Sequence, residues 1–193
     1  MSRDRFRRRR WLRAATTAVI WAASLLVAPT PARATVIVPA DLGELSRDAL
    51  AIARGRVVAV DAQWTPGRRS IETLVTLRTD EYLKGGFGET VQFRVPGGVL
   101  GRYRNIVMGA PTFVVGQHVV VFLGARGPSV PFVLGLSQGV FRVVQGVADS
   151  VMVLPPPLVP GVSGQVVRGS AARLPTTLAA FQAEVRALSG GAQ

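Results

Sequence analysis

The side chains able to do chemistry are few in this sequence, and the single histidine, His118, is the first to consider. A metal site built from several histidines is excluded, and a Ser–His–acid triad would have to use His118. His118 begins an apolar stretch, and on a strand it would share one face with Val120 and Phe122. This position favours a structural histidine at a strand end over a catalytic base. The segment Gly161-Val-Ser-Gly164 lacks the Gly-x-Ser-x-Gly spacing of a nucleophile elbow.

The acidic residues do not suggest a catalytic pair. Asp80 and Glu81 are adjacent, and adjacent strand residues face opposite sides of a sheet, so we expect these carboxylates not to converge. The acids of residues 41–48 are explained by helix capping and solvation. Lys84-Gly-Gly-Phe-Gly88 lacks the length and the Lys-Ser/Thr ending of a phosphate-binding loop and is typical of a hairpin turn. We therefore predict no catalytic residue, no cofactor site and no metal site.

One segment has the composition of a contact surface. Residues 96–111 are rich in glycine and contain Arg102, Tyr103, Arg104 and Asn105 in succession. Two guanidinium groups beside an aromatic ring can bind carboxylates, sugars or a partner chain. The alternative is an exposed edge strand whose arginines discourage aggregation. These four residues are the candidate contact surface.

Charge and cysteine content exclude several classes of function. The chain has a net charge of +12, but residues 1–34 hold eight arginines and one acid, which leaves 15 basic and 10 acidic residues (+5) in the remainder. Overall basicity is therefore no argument for nucleic-acid binding. The chain has no cysteine. Disulfide scaffolds, zinc–cysteine sites, iron–sulfur clusters and cysteine nucleophiles are excluded, and stability must come from an apolar core.

The first 34 residues have the three parts of a secretory signal peptide. An arginine-rich head is followed by the apolar run Ala14–Ala28 and by Ala32-Arg-Ala34. The run is shorter than the approximately 20 apolar residues of a membrane-spanning helix, so we expect cleavage near Ala34; an uncleaved anchor is the alternative. The segment Arg8-Arg-Arg-Trp-Leu12 fits a twin-arginine signal, and the general export route is the other option. We expect a periplasmic or extracellular protein that meets the membrane only during export.

The remaining chain predicts a mostly β fold. Asp41 and Glu44 form the capping box of a short helix. Strands are predicted over residues 51–63, 70–83, 91–95, 102–107, 119–123, 132–136, 140–145 and 150–154. The last three are expected to complete a meander, and residues 119–123 to be a central strand covered on both faces. The pattern favours an antiparallel OB-like β-barrel, or a sandwich, with one helix before and one after it.

The predicted domain organisation follows from these elements. Residues 1–34 are the signal peptide, residues 35–154 the β-barrel domain and residues 155–175 a Pro/Gly-rich connection. Residues 176–193 are a C-terminal amphipathic helix packed on the barrel. Its apolar positions at helical spacing are Leu178, Phe181, Val185 and Leu188.

Three segments resemble known proteins over residues 49–145. They are the stretch from Ala51, the stretch ending in Leu83-Lys-Gly85, and Phe113–Leu123, together with Pro96-Gly-Gly98 and Gly109-Ala-Pro-Thr-Phe113. The chain resembles a family of uncharacterised bacterial exported proteins and, more distantly, the netrin-like domain of the tissue inhibitors of metalloproteinases. The resemblance implies an OB-type barrel with a packed helix, a non-enzymatic binding role and a secreted metalloprotease as a partner. It does not carry over the zinc-ligating N-terminal cysteine of those inhibitors, because this chain has none.

These observations lead to one main hypothesis and two alternatives. The main hypothesis is an exported, non-catalytic binding module of the bacterial envelope that contacts a protein or an anionic surface polymer through barrel loops. The first alternative is an envelope hydrolase that uses His118 with a nearby acid. The second is a structural envelope component. No nucleic acid and no cofactor is expected in any of the three.

Overall fold

The computed structural model describes residues 40–127, 130–156 and 174–190. The predicted signal peptide and most of the predicted connection 155–175 lie outside these residues. Neither helix in the described part of the chain has the length and hydropathy needed to cross a membrane.

The described residues form a mostly β protein with two helices, as predicted. Helix α1 is Leu42–Asp48 and helix α2 is Leu178–Gly190. The strands are β1 (Ala51–Trp64), β2 (Ile71–Lys84), β3 (Thr90–Pro96), β4 (Gly98–Leu100), β5 (Tyr103–Asn105), β6 (His118–Gly124), β7 (Phe132–Val133), β8 (Val140–Gln145), β9 (Val151–Leu154) and β10 (Thr176–Thr177). Short 3₁₀ turns occupy Pro66–Arg68, Leu136–Gly139 and Val147–Asp149.

Helix α1 begins at the predicted capping box, in which Asp41 and Glu44 each accept a hydrogen bond from the other's backbone N–H. Its other end is held by Lys84, whose Nζ donates to the carbonyl oxygens of Ser46 and Arg47 at 2.8 Å each. A cation at this end satisfies carbonyls that have no partner within the helix. The single lysine of the chain therefore connects α1 to the end of β2.

The large sheet is mixed, whereas the sequence predicted an antiparallel one. Its eight strands follow the order β1-β2-β3-β7-β6-β8-β9-β10, and β1 also pairs with β6. The exception to antiparallel pairing is β3 with β7, which run in parallel where Arg94 lies opposite Phe132. A parallel neighbour requires a long connection that returns the chain to the same end of the sheet. Residues 97–131 supply that connection.

The predicted meander of the last three strands is wrong in one respect. β7 does not pair with β8; both pair with the same strand, β6, with Val133 opposite Leu123 and Val140 opposite Val121. Because β1 occupies the other edge of β6, β7 and β8 lie along one shared edge. The 3₁₀ turn Leu136–Gly139 between them is therefore an insertion that interrupts a continuous ladder. β8 and β9 do form the expected antiparallel pair.

Two apolar clusters cover the two faces of β6. Val119, Val121 and Leu123 lie in a cluster made by the sheet alone. Val120 and Phe122 lie in a second cluster, between the sheet and the two helices, where α2 contributes Phe181 and Val185 and α1 contributes Leu45. The side chains of these five residues, Val119 to Leu123, have no solvent exposure. The prediction of a central strand covered on both faces is confirmed.

The two longest strands approach each other closely at Gly55. A Cβ atom added there would lie 2.2 Å from the carbonyl oxygen of Arg78 on β2. The register also shifts at this point, because Arg54 lies opposite Glu81 and Gly55 opposite Thr79, which leaves Asp80 without a partner residue. This two-against-one arrangement is a β-bulge. Only glycine lets the bulge and the close approach coexist.

We predict that Gly55→Val destabilises the fold by about 3 kcal/mol, because the side chain must push β1 away from the backbone of β2. Urea unfolding followed by circular dichroism measures this change. Gly190→Ala is the matched control, since nothing lies within 4 Å of a Cβ atom there, and it should change stability by less than about 0.5 kcal/mol. Equal stability of the Gly55→Val variant and the native chain would contradict the steric argument.

Candidate functional site

The predicted contact residues lie on a small hairpin outside the eight-stranded sheet. β5, which holds Tyr103, Arg104 and Asn105, pairs with β4 in a two-stranded sheet. Leu100 lies opposite Tyr103, so Gly101 and Arg102 form the two-residue turn, with Gly101 at a φ of 59°. Short turns of this kind require positive φ, which glycine adopts without strain.

Hydrogen bonds attach this hairpin to β2. Gly97 N–H and the Asn105 side-chain amide both donate to the carbonyl oxygen of Ile71, at 3.0 and 3.2 Å. Thr73 Oγ1 donates to the carbonyl of Gly97 at 2.8 Å. Of the four predicted residues, Asn105 is thus the one whose side chain anchors the hairpin. Arg102, Tyr103 and Arg104 are exposed.

The hairpin brings Tyr103 against Trp64, the last residue of β1. Their rings meet edge to face with centroids 5.3 Å apart. Arg102 donates to Tyr103 Oη at 2.9 Å, and its guanidinium carbon lies 5.1 Å from the Tyr103 ring centroid. The guanidinium carbon of Arg68 lies 6.0 Å from the Trp64 ring centroid. We call the set Arg68, Trp64, Tyr103 and Arg102 the arginine–aromatic surface.

Sequence reasoning missed Trp64 and Arg68. Trp64 ends β1 and Arg68 lies in the turn that follows it, about thirty residues before the hairpin, and only the tertiary fold brings them to it. Arg68 adopts a φ of 55°, a conformation that costs a non-glycine residue about 1 kcal/mol or more. The Thr65 and Ser70 hydroxyls, 3.1 Å apart, close the same turn. Placing Arg68 over the Trp64 indole therefore requires a backbone conformation that is unfavourable for arginine.

Next to this surface lies a groove of about 330 Å³ between the end of β3 and residues 97–113. Phe113 lines the groove and packs on Phe93, with ring centroids 5.4 Å apart. Five apolar side chains of residues 99–115 are 54–73% exposed: Val99, Ile106, Met108, Val114 and Val115. Single exposed apolar residues are ordinary, but a concentration of them in one segment marks an interaction surface.

Positive charge accompanies these apolar side chains. From residue 90 to residue 148 the sequence contains five arginines and no acidic residue. Within the described part of the chain, no ion pair involves Arg68, Arg102 or Arg104. The surface around the groove therefore combines exposed apolar area with positive charge that no neighbouring carboxylate neutralises.

A second polar cluster surrounds Arg54 and corrects an expectation. Asp80 and Glu81 do converge, because the bulge leaves Asp80 unpaired and lets both carboxylates reach Arg54, at 3.8 and 3.5 Å. Glu81 also accepts hydrogen bonds from Gln182 and Arg186 of α2. This carboxylate ties α2 to the sheet, so its role is structural.

His118 borders the same cluster. Its Nδ1 lies 4.0 Å from Asp80 Oδ2, which is beyond hydrogen-bond distance, and its side chain is 48% exposed. Among the described residues, no group of three or more His, Asp or Glu side chains could hold a metal ion. The arrangement supplies one His–Asp approach of acid–base type without a hydroxyl nucleophile hydrogen-bonded to it.

No protein family, no curated protein and no solved structure matches this chain. Fold and site together define a mostly β protein with a glycine-rich hairpin whose exposed surface is apolar, aromatic and positively charged.

Proposed function

We propose that this protein is an exported, non-catalytic binding module that docks a partner protein on the arginine–aromatic surface and the adjoining groove. The observation that carries the proposal is the combination of Ile106 and Met108, 73% and 67% exposed, with Arg68, Arg102 and Arg104, which form no ion pair with the residues that the structure describes. Aromatic and arginine side chains dominate the binding energy of protein interfaces.

The exposed aliphatic side chains favour a protein over an anionic surface polymer as the partner. A polymer of sugars and charged groups would use the arginines but would gain little from covering the aliphatic side chains of Ile106, Met108 and Val115. A protein surface with an apolar centre and an acidic rim complements both features. A secreted metalloprotease is the partner that the family resemblance implies, and any inhibition would have to proceed without a cysteine ligand to the zinc.

We further propose that the sheet is an OB-like barrel. In support of this, the pairings form a circuit in which β1 pairs with β2, β2 with β3, β3 with β7, β7 with β6, and β6 again with β1. OB-type barrels bind ligands over the second and third strands and the loop between the first and second. In this chain that loop is the turn that holds Arg68.

The proposal includes export to the periplasm or beyond. Its support is the sequence of residues 1–34, with an arginine-rich head, a short apolar run and Ala32-Arg-Ala34. An exported protein without cysteines depends on its apolar core for stability, and the two buried clusters around β6 provide that core.

A second candidate function is an envelope hydrolase, favoured by the 4.0 Å approach of His118 Nδ1 to Asp80 Oδ2. A carboxylate beside an imidazole can orient it and stabilise its protonated form. The half-exposed position of His118 argues against this alternative, because catalytic acid–base groups work best where water is excluded.

We predict that the double change Arg102→Glu with Arg104→Glu weakens partner binding at least tenfold, because it turns charge attraction at the interface into repulsion. Native and variant chains serve as baits for periplasmic extracts, and the affinity of the recovered partner is then measured with purified proteins. Arg47→Glu with Arg142→Glu is the control, since it reverses two exposed arginines outside this surface. Equal weakening by both pairs of changes, or binding of polymer in place of protein, would contradict the proposal.

Export is tested by the size and location of the product. We predict a periplasmic protein that begins at Thr35, as read by N-terminal sequencing, because cleavage follows the Ala-x-Ala motif. Arg8→Lys with Arg9→Lys should block export if the twin-arginine route is used, whereas Arg3→Lys with Arg5→Lys should not. Only unprocessed chain, found in the cytosolic fraction, would be incompatible with export.

We predict that His118→Ala leaves partner affinity within about twofold of the native value, because the histidine lies outside the docking surface. The same variant is assayed against chromogenic ester substrates. A hydrolase would lose about 100-fold or more of its turnover on removal of its base, and Asp80→Asn would lower it as well. Native turnover that disappears in both variants would favour the hydrolase over the binding module.

A further inference from the structure

Two arginines and one histidine form a row across the middle of the large sheet. Arg56 on β1 lies directly opposite Arg78 on β2 on one side and directly opposite His118 on β6 on the other. Directly opposite residues of antiparallel strands share one face, with Cβ atoms about 5 Å apart. All three residues are exposed. We call Arg56, Arg78 and His118 the cationic row.

The need to keep an exposed sheet edge from aggregating does not explain these arginines. Arginines on edge strands discourage aggregation, but β1 is paired on both sides at Arg56. Like charges placed directly opposite each other destabilise a sheet. The position therefore carries an electrostatic cost that edge protection does not account for.

In the described residues, no carboxylate pairs with either of the two arginines. Neither Arg56 nor Arg78 takes part in an ion pair there. Asp80 lies two residues from Arg78, but the bulge directs its carboxylate to Arg54 and to His118 Nδ1. His118 Nε2 makes no hydrogen bond with the described part of the chain.

Gly55 fixes the two arginines of this row beside each other. At Gly55, next to Arg56, the strands approach too closely for a side chain, which fixes Arg56 beside Arg78. The Arg56 guanidinium extends towards Gly116, and its Nη2 lies 3.6 Å from the position that a Cβ atom on Gly116 would occupy.

We propose that the cationic row binds a phosphate group, as inorganic phosphate or as a phosphate monoester. Two guanidinium groups match the two negative charges of a phosphate and can each donate paired hydrogen bonds to its oxygens, with His118 as a third donor. A carboxylate would neutralise only one of the two arginines. This site shares no side chain with the arginine–aromatic surface and does not rest on the proposed docking function.

The test is calorimetric titration of the full chain with sodium phosphate at constant ionic strength, because salt screens exposed charges. We expect one saturable site whose affinity falls about tenfold in Arg56→Gln and in Arg78→Gln, since each loses a charge-assisted contact. Arg104→Gln, which removes one exposed arginine elsewhere, should stay within twofold. Titration with glycerol 3-phosphate distinguishes a phosphate monoester from inorganic phosphate as the ligand. An affinity comparable to that for inorganic phosphate assigns the site to phosphate monoesters, and a much weaker affinity assigns it to the free ion.

Thermal unfolding gives a second readout that a folding defect cannot mimic. Without phosphate, Arg56→Gln should be at least as stable as the native chain, because a like-charge contact is removed. Phosphate at ten times the native Kd should raise the native Tm by about 3 °C and that of Arg56→Gln by only about 1 °C. Absence of saturable binding, or equal losses in Arg56→Gln and Arg104→Gln, would overturn the proposal.

Discussion

The pairing of β1 on both of its edges is the constraint on which the rest of this structure depends. Its first half is held between β2 and β6, and its second half by β2 alone. Backbone groups paired on both sides cannot move independently, so side chains along β1 are positioned from one end to the other. Ile52 enters the core beneath the helices, Arg56 stands in the cationic row, and Trp64 supports the hairpin. One strand thereby links the core to both proposed binding surfaces.

Local patterning predicted most of the elements. Four of the patterns used depend only on residues close in sequence, and each predicted element is present. They are the capping box of α1, the alternation of β3, the apolar run of β6 and the helical spacing of Phe181 and Val185. The parallel pairing of β3 with β7 and the shared edge of β6 depend on the path of residues 97–131. Local patterning places strands within this connection but does not specify which strands they pair with, so the sequence could not predict its course.

The residues of the candidate site also fall into a group that the sequence could predict and a group that it could not. Arg102, Tyr103 and Arg104 could be found from composition, because a basic and aromatic cluster in a glycine-rich segment is a local feature. Trp64 and Arg68 could not, since their meeting with the hairpin requires the register of β1 with β2 and the hydrogen bonds from Gly97 and Asn105 to Ile71. The convergence of Asp80 with Glu81 was missed for a related reason. A bulge inverts the facing rule for the residue it leaves unpaired.

The distribution of charge supports the proposed binding role, because it carries a cost to stability. Six of the ten acidic residues after residue 34 lie in α1 with its cap or in β2, where Glu72 pairs with Arg94 and Glu81 ties α2 to the sheet. Residues 90–148 have no acid, and Arg102 and Arg104, which form no ion pair with the described residues, repel each other in the free protein. A chain without disulfides gains nothing in stability from such repulsion or from exposed Ile106 and Met108. Both features become favourable only when an acidic and apolar surface covers them, which is the condition that docking of a partner creates.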